Sequence, residues 1–134
     1  MLTRLAGVLP LPRALASEDP FAVRMEYVPG SLAEQWVVSG YRSPALEEAV
    51  RRQVVFLRGC GEMPRALHAV NTRSFADVLT GTGTSVIHAG PGPYNVIVDP
   101  EAGEVGALID RELARIGDPV EDLAIVEWNM RIWW

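Results

Sequence analysis

The chain has 134 residues, of which 49% are apolar, which is enough for one domain with a buried core. Its net charge of −5 and its pI near 5.0 argue against nucleic acid or an anionic membrane as the main partner. The single cysteine, Cys60, excludes an internal disulfide and fits a reducing compartment, so we expect a cytoplasmic protein. All 12 basic residues are arginine, so the chain contains no lysine.

The first 30 residues predict a short helix and a strand. Residues 2–9 are weakly helical, and Pro10 and Pro12 force an extended exit from that helix. Residues 21–28 alternate in the manner of a strand, which the Pro29-Gly30 pair ends.

Two helix start signals follow. Ser31, with Glu34 three residues later, has the pattern of a capping box and predicts a helix over residues 31–38. A second helix is expected to begin at Ser43-Pro44, with Ser43 as its cap and an apolar face that includes Leu46, Ala49, Val50, Val54 and Leu57.

Glycines are expected to divide the next helical region. Gly59 and Gly61 predict the end of the second helix, and residues 64–70 predict a separate short one that contains His68. We interpret His68 as a packing or capping residue rather than a ligand. Residues 71–85, with their Gly-Thr-Gly-Thr stretch, read as a loop and are too weak a pattern for a phosphate-binding loop.

A β-hairpin is predicted over residues 95–109. Two β-branched runs, 95–98 and 105–109, flank a polar segment in which Pro100 and Gly103 supply the turn. Asn95 opens the first strand and Asp110 follows the second, so in an antiparallel pair the two side chains can converge. A carboxylate and an amide oxygen there make a reasonable site for a hard cation such as Mg²⁺. The alternative is that both residues are only turn-formers at strand ends.

The last helix is predicted to begin at Pro119. Asp118 can cap it, and Glu121 completes a capping box, which explains Asp118 without any chemistry. Asp122 precedes an apolar run and should be partly buried, so its carboxylate needs partners. The apolar, aromatic end at residues 131–134 indicates a helix that is cut short or that docks on a partner segment or a missing lobe.

The second half of the chain contains His88-Ala89-Gly90 followed by Asn95, then Ile-Asp-Arg-Glu at 109–112 and Gly-Asp-Pro-Val-Glu-Asp-Leu-Ala at 117–124. In this order and spacing the three segments resemble the catalytic segment of the aminoglycoside phosphotransferase family, small-molecule relatives of the protein kinases. That family's signature runs H-G-D-x-x-x-x-N, a strand pair, I-D-[WF]-[ED], then G-D-P-x-x-D-L-A. The corresponding segments here are His88-Ala89-Gly90 with Asn95, residues 109–112 and residues 117–124. Two positions depart from the pattern, because Gly90 replaces the family's catalytic Asp and Arg111 stands where an aromatic residue is usual.

The resemblance implies an α+β, protein-kinase-like fold. Residues 31–134 would form a partial, mainly helical C-terminal lobe with the catalytic-loop hairpin, and residues 1–30 a remnant of the N-terminal lobe and the interlobe hinge. The segment after the predicted strand resembles the hinge that pairs with adenine. The residues lining the adenine pocket would be Met25, Glu26, Tyr27 and Val28; an ordinary edge strand is the alternative.

The resemblance also implies phosphoryl transfer from ATP or GTP to a hydroxyl of a small molecule, with Mg²⁺ as cofactor. Asn95 and Asp110 would hold the metal, with Glu112 beside them. His88 would orient the catalytic loop rather than act as base, and Asp122 would brace it. The base itself is missing at Gly90.

Activity of this chain alone is expected to be impaired. It has no lysine for the phosphates and begins too late to include the family's glycine-rich loop, so we expect a truncated, weakly active or inactive member of the family. The alternative is a non-catalytic, kinase-like module that binds a nucleotide or a protein partner. A plain α+β scaffold without a site would require all four motif matches to be accidental.

Overall fold

The computed structural model describes residues 5, 8–19, 22, 24–35 and 46–133. Within these residues, the helices α1 (Leu46–His68) and α2 (Pro119–Trp133) account for most of the regular structure. Seven short strands accompany them: β1 (Ala14–Leu15), β2 (Arg24–Met25), β3 (Ser31–Leu32), β4 (Ser85–Ile87), β5 (Val96–Val98), β6 (Val105–Leu108) and β7 (Arg115–Gly117). Single 3₁₀ turns occupy Thr72–Phe75 and Pro93–Asn95.

The predicted hairpin is confirmed as β5 and β6. The two strands pair antiparallel, with Val96 opposite Leu108, and β3 adds to the outer edge of β5. In the turn, the side chain of Asp99 accepts hydrogen bonds from the N–H groups of Glu101 (2.8 Å) and Ala102 (3.1 Å). Gly103 has φ +72°, a conformation that favours glycine. The local turn chemistry therefore sets the hairpin that carries Asn95 and Asp110 at its ends.

A second strand pair joins β4 to β7. The pairing is antiparallel, with Val86 opposite Ile116. The loop that contains His88 leaves the end of β4, while α2 begins directly after β7. Because β4 and β7 are neighbours, the loop and the first turn of α2 are held close together.

The core lies between α1 and the strands. Phe56, Met63 and Leu67 recur at helical spacing along α1 and are buried. They belong to one cluster with buried side chains from the N-terminal segment, the loop after α1 and the strands: Leu5, Leu9, Phe75, Val86, Val96, Val98 and Leu108. This packing fixes both strand pairs on the same helix.

The sequence-based division of α1 is wrong. Helix α1 continues through Gly59, Gly61 and Pro64 and ends at His68. A Cβ atom at Gly59 would lie 2.6 Å from Cγ2 of Val105, so this glycine permits close packing of α1 on β6 instead of ending the helix. The predicted apolar face is also partly wrong, because Val54 is 54% exposed while Phe56 is buried. The expected start at Ser43-Pro44 lies outside the described residues.

Two N-terminal predictions also need correction. Ser31 does not cap a helix, because it lies in β3 opposite Val98, and the helical conformation begins at residue 33. The backbone of Ser31 pairs with β5, so this residue belongs to a strand and does not directly precede the helical segment. The strand predicted over residues 21–28 is reduced to Arg24–Met25, paired with Ala14–Leu15, and residues 21 and 23 lie outside the described part. Neither helix, as far as the structure describes them, has an apolar stretch sufficient for a membrane span.

Candidate active site

A buried carboxylate, Asp122, connects the loop after β4 to both helices. It lies in the first turn of α2 and is 0% exposed. Its Oδ2 accepts the backbone N–H of His88 (3.0 Å) and its Oδ1 accepts that of Ala89 (2.8 Å). Nε2 of His68, the last residue of α1, lies 2.9 Å from Oδ2. These three contacts supply the partners that a buried carboxylate needs and hold the loop in place.

The His88 side chain connects the loop to the end of β6. It is 1% exposed, and its Nε2 donates to the backbone oxygen of Ile109 at 3.0 Å. A carbonyl oxygen only accepts, so the ring proton lies on Nε2, which leaves the buried Nδ1 as an acceptor without a hydrogen-bond partner. Burial lowers the pKa of His88 from its ordinary value of 6.5, so the ring is neutral at pH 7. His88 thus links the loop to the residue that precedes Asp110.

The hairpin brings Asn95 next to the segment that carries Asp110. The backbone oxygen of Asn95 accepts the N–H of Ile109 at 2.8 Å, and its side-chain Nδ2 donates to the oxygen of Gly90 at 2.9 Å. Asp110 is exposed and has φ +58°. The only other non-glycine residue with positive φ in the described chain is Ala89, at +64°. Unusual backbone conformations of this kind tend to cluster at functional sites.

Position 90 has room for a side chain. A Cβ atom added to Gly90 would lie 3.7 Å from Nδ2 of Asn95 and 3.7 Å from Nδ1 of His88, which is ordinary van der Waals contact. The backbone of Gly90 is not among those with positive φ, so no strain opposes a larger residue. The loop would therefore accept the carboxylate that the family pattern has at this position.

Asn95 and Asp110 offer oxygen atoms of the kind that Mg²⁺ prefers. Among the described residues, there is no group of three or more His, Cys, Asp or Glu side chains that could hold a metal. Mg²⁺, however, usually takes one or two protein carboxylates and completes its octahedron with water and substrate phosphates. The exposed carboxylate of Asp110 and the amide oxygen of Asn95, whose nitrogen is already used, fit that pattern.

The remaining predicted site residues stay outside this hydrogen-bonded cluster. Glu112 is exposed in the turn after Asp110. Of the four predicted hinge residues, Tyr27 is 83% exposed and Met25 48%, and Glu26 is exposed and forms a long ion pair with Arg13 (3.9 Å). Val28 packs beside β6, where its Cγ1 would lie 3.6 Å from a Cβ at Gly106.

Two residues of the site were missed or undervalued by the sequence reasoning. His68 is neither a cap nor simple packing, since it contacts Asp122 across 54 positions of sequence. Arg111 was noted only as a departure from the family pattern, yet its Nε and Nη1 atoms are buried without a hydrogen-bond partner. The Leu67-His68 pair, which resembles a helix end of the same family, was the available signal for His68. No sequence signal marks the burial of Arg111.

Comparison with known proteins agrees with this geometry. Residues 78–134 match the model of the APH phosphotransferase enzyme family. The structure is similar to the crystal structure of an aminoglycoside 3′-phosphotransferase of type VIII, with 23% sequence identity and a TM-score of 0.50. That similarity covers 96% of this chain and 61% of the other, so the chain spans less than two thirds of that structure. No curated protein sequence matches the chain significantly. The resemblance seen in the sequence is thus confirmed: residues 78–134 match the phosphotransferase enzyme family, and the mixed α+β chain has the kinase-like fold of an aminoglycoside phosphotransferase.

Proposed function

We propose that this chain binds a magnesium–nucleotide complex at Asn95 and Asp110, and that its transfer of a phosphoryl group to a small-molecule hydroxyl is impaired by Gly90. The observation that carries the proposal is the buried Asp122, whose two oxygens hold the N–H groups of His88 and Ala89. An elaborate support for a loop is expected where the loop positions reacting groups. Phosphoryl transfer depends mostly on such positioning and on charge neutralisation.

In this proposal, the side chains of Asn95 and Asp110 hold Mg²⁺, which when bound neutralises phosphate charge. Glu112 lies two residues beyond Asp110 and would contact the bound Mg²⁺ through a water molecule. Backbone groups of residues 25–28, the proposed hinge, would pair with the adenine edge of ATP or the corresponding edge of GTP. His88 keeps the loop attached to the backbone of Ile109 and does not serve as base.

The missing base is the defect that this proposal assigns to the chain. A general base typically contributes about 10²- to 10⁴-fold to the rate, so its loss alone leaves measurable turnover. The absence of lysine from all 134 residues removes the residue that kinases usually place on the phosphates. Both features also favour the second candidate, a kinase-like module that binds a nucleotide, or a protein through the exposed apolar residues of α2, without catalysis.

Nucleotide binding is tested first, by thermal unfolding with and without ATP·Mg²⁺. At a ligand concentration 100 times Kd, we expect binding to stabilise the chain by about 2.7 kcal/mol. Asp110→Asn should abolish this shift, whereas Glu101→Gln, an exposed residue in the turn of the same hairpin, should leave it unchanged. Absence of any shift at millimolar nucleotide would contradict the proposal.

Catalysis is tested by restoring the carboxylate. Gly90→Asp should raise ATP consumption in the presence of a panel of hydroxylated small molecules by about 10²- to 10⁴-fold. Gly90→Asn is the matched control, because it fills the same space without a base. If the two variants behave alike, position 90 is not the site of a missing base, and the non-catalytic module is the better description.

A further inference from the structure

Arg111 is half-buried, and two nitrogen atoms of its guanidinium are buried without hydrogen-bond partners. Its Nε and Nη1 atoms are both buried and unpaired, and none of the ion pairs found in the described chain includes it. Burial lowers the pKa of Arg111, although a guanidinium stays protonated at neutral pH. Donors of this kind have lost water without gaining an acceptor, which is unfavourable in the free protein.

The position of Arg111 connects this charge to the proposed nucleotide site. Arg111 follows Asp110 directly, and the preceding Ile109 is hydrogen-bonded to Asn95. The charges of Asp110 and Arg111 also both act on the buried ring of His88. The guanidinium is therefore close to the end of the hairpin where phosphates would meet a metal ion.

We infer that Arg111 is an anion-binding residue, which holds a phosphate oxygen of the nucleotide bound at Asn95 and Asp110. The inference rests on the proposed function and adds to it a phosphate-binding residue in a chain that has no lysine. A phosphate oxygen would give one of these two groups, Nε–H or Nη1–H, the acceptor that it lacks, in a charge-assisted hydrogen bond. Because both atoms are covered in the free protein, the side chain turns toward the ligand when the phosphate binds.

The test compares a ligand that carries phosphate with one that does not. Binding of ATP·Mg²⁺ and of adenosine is measured by calorimetry for the unmodified chain and for Arg111→Met, which keeps the length of the side chain without its charge. We expect the affinity for ATP·Mg²⁺ to fall about 10- to 100-fold, as for loss of a charge-assisted hydrogen bond, and that for adenosine to change by less than about twofold. Arg73→Met removes an exposed arginine of the 3₁₀ turn and should alter neither affinity.

Stability provides a second measurement that does not depend on the ligand. If the donors are unpaired in the free protein, Arg111→Met should raise its melting temperature while weakening ATP binding. Arg111→Phe, which introduces the aromatic class usual in the family, is the second variant and should show the same loss of phosphate affinity.

The outcomes separate the two proposals. If ATP·Mg²⁺ and adenosine weaken equally, or if neither changes, Arg111 does not bind phosphate although the nucleotide site stands. If the unmodified chain binds neither ligand, the proposed function fails and the inference fails with it. A fall in melting temperature for Arg111→Met would show that the guanidinium is a structural group and would also overturn the inference.

Discussion

Removal of the Asp122 carboxylate is the most direct test of how the loop after β4 is held. Asp122→Ala leaves the N–H groups of His88 and Ala89 without their acceptor, together with Nε2 of His68. Each buried donor that loses its partner costs about 1–3 kcal/mol. The His68 side chain is 14% exposed and can turn to water, so the two backbone groups dominate the loss. We expect a total of about 3–5 kcal/mol, which lies within the sum for two such backbone donors.

This loss corresponds to a large shift in melting temperature. An unfolding entropy of about 2.1 cal/mol/K per residue, over 134 residues, converts about 3–5 kcal/mol into about 11–18 °C. Urea denaturation and calorimetry would measure the free energy of unfolding and the midpoint. Asp118→Ala is the matched control, because Asp118 is an exposed carboxylate four residues earlier that accepts one hydrogen bond, from Val120 (2.9 Å), and its removal should cost about 1 kcal/mol. If Asp122→Ala were no more destabilising than Asp118→Ala, the carboxylate would not be holding the loop.

Three further predictions concern single residues. Gly30→Ala should lower the free energy of unfolding by about 1–3 kcal/mol, because Gly30 has φ +141° and a Cβ would lie 2.5 Å from the backbone oxygen of Val98. Gly61→Ala is the control: Gly61 lies in α1 with nothing within 4 Å of its Cβ position, so this variant should raise the free energy of unfolding by about 0.5–1 kcal/mol. Urea titration measures both. Burial raises the pKa of the Cys60 thiol to about 12, so alkylation at pH 8 should be at least about 100-fold slower in the folded chain than in urea, and equal rates would contradict this. The lowered pKa of His88 means that the unfolded chain takes up a proton near pH 6.5 while the folded chain does not, so the free energy of unfolding should fall as pH drops through 6.5 and on toward the lower folded-state pKa. His88→Gln should flatten this part of the pH profile, and an unchanged slope would assign it to other groups.

Elements with strong local signals could be predicted from the sequence. The hairpin formed where β-branched runs flank a segment with Pro100 and Gly103, and both strands end within one residue of the predicted limits. The start of α2 was also correct: Asp118 accepts the N–H of Val120, and Glu121 accepts that of Asp118 at 3.3 Å. In both cases the groups that determine the conformation lie within a few residues of each other.

Elements whose conformation depends on distant residues could not be predicted in this way. Gly59 was predicted to end the helix because glycine is a poor helix former. Its actual role is to let Val105 pack closely against α1, and that contact exists only in the folded chain. Ser31 had a complete capping pattern, but β5 offered its backbone a strand partner instead. Local propensity was overridden by tertiary contact at both positions.

In the candidate site, too, features that depend on nearby residues could be predicted and features that depend on distant residues could not. The position of Asp122 directly before an apolar run predicted that its carboxylate would need partners, and it is fully buried with three of them. The identity of those partners did not follow from spacing, because His68 is 54 residues away from Asp122. The two buried, unpaired nitrogen atoms of Arg111 also could not be predicted from the sequence, because arginine side chains usually remain in contact with water.

The hydrogen bonds that support the loop explain how the fold can persist when two motif positions have changed. Asp122 binds backbone N–H groups of the loop, His88 binds the backbone oxygen of Ile109, and the Asn95 side chain binds that of Gly90. None of these contacts uses the side chain at position 90 or 111, so replacing either residue leaves the support intact. Sequence and fold similarity to the family therefore report on this backbone framework, whereas the proposed effects on phosphoryl transfer and phosphate binding concern positions 90 and 111, whose side chains the framework does not use. On this reasoning Gly90→Asp should change catalysis with little change in stability. Asp122→Ala should instead lower the stability of the loop, whatever residue occupies position 90.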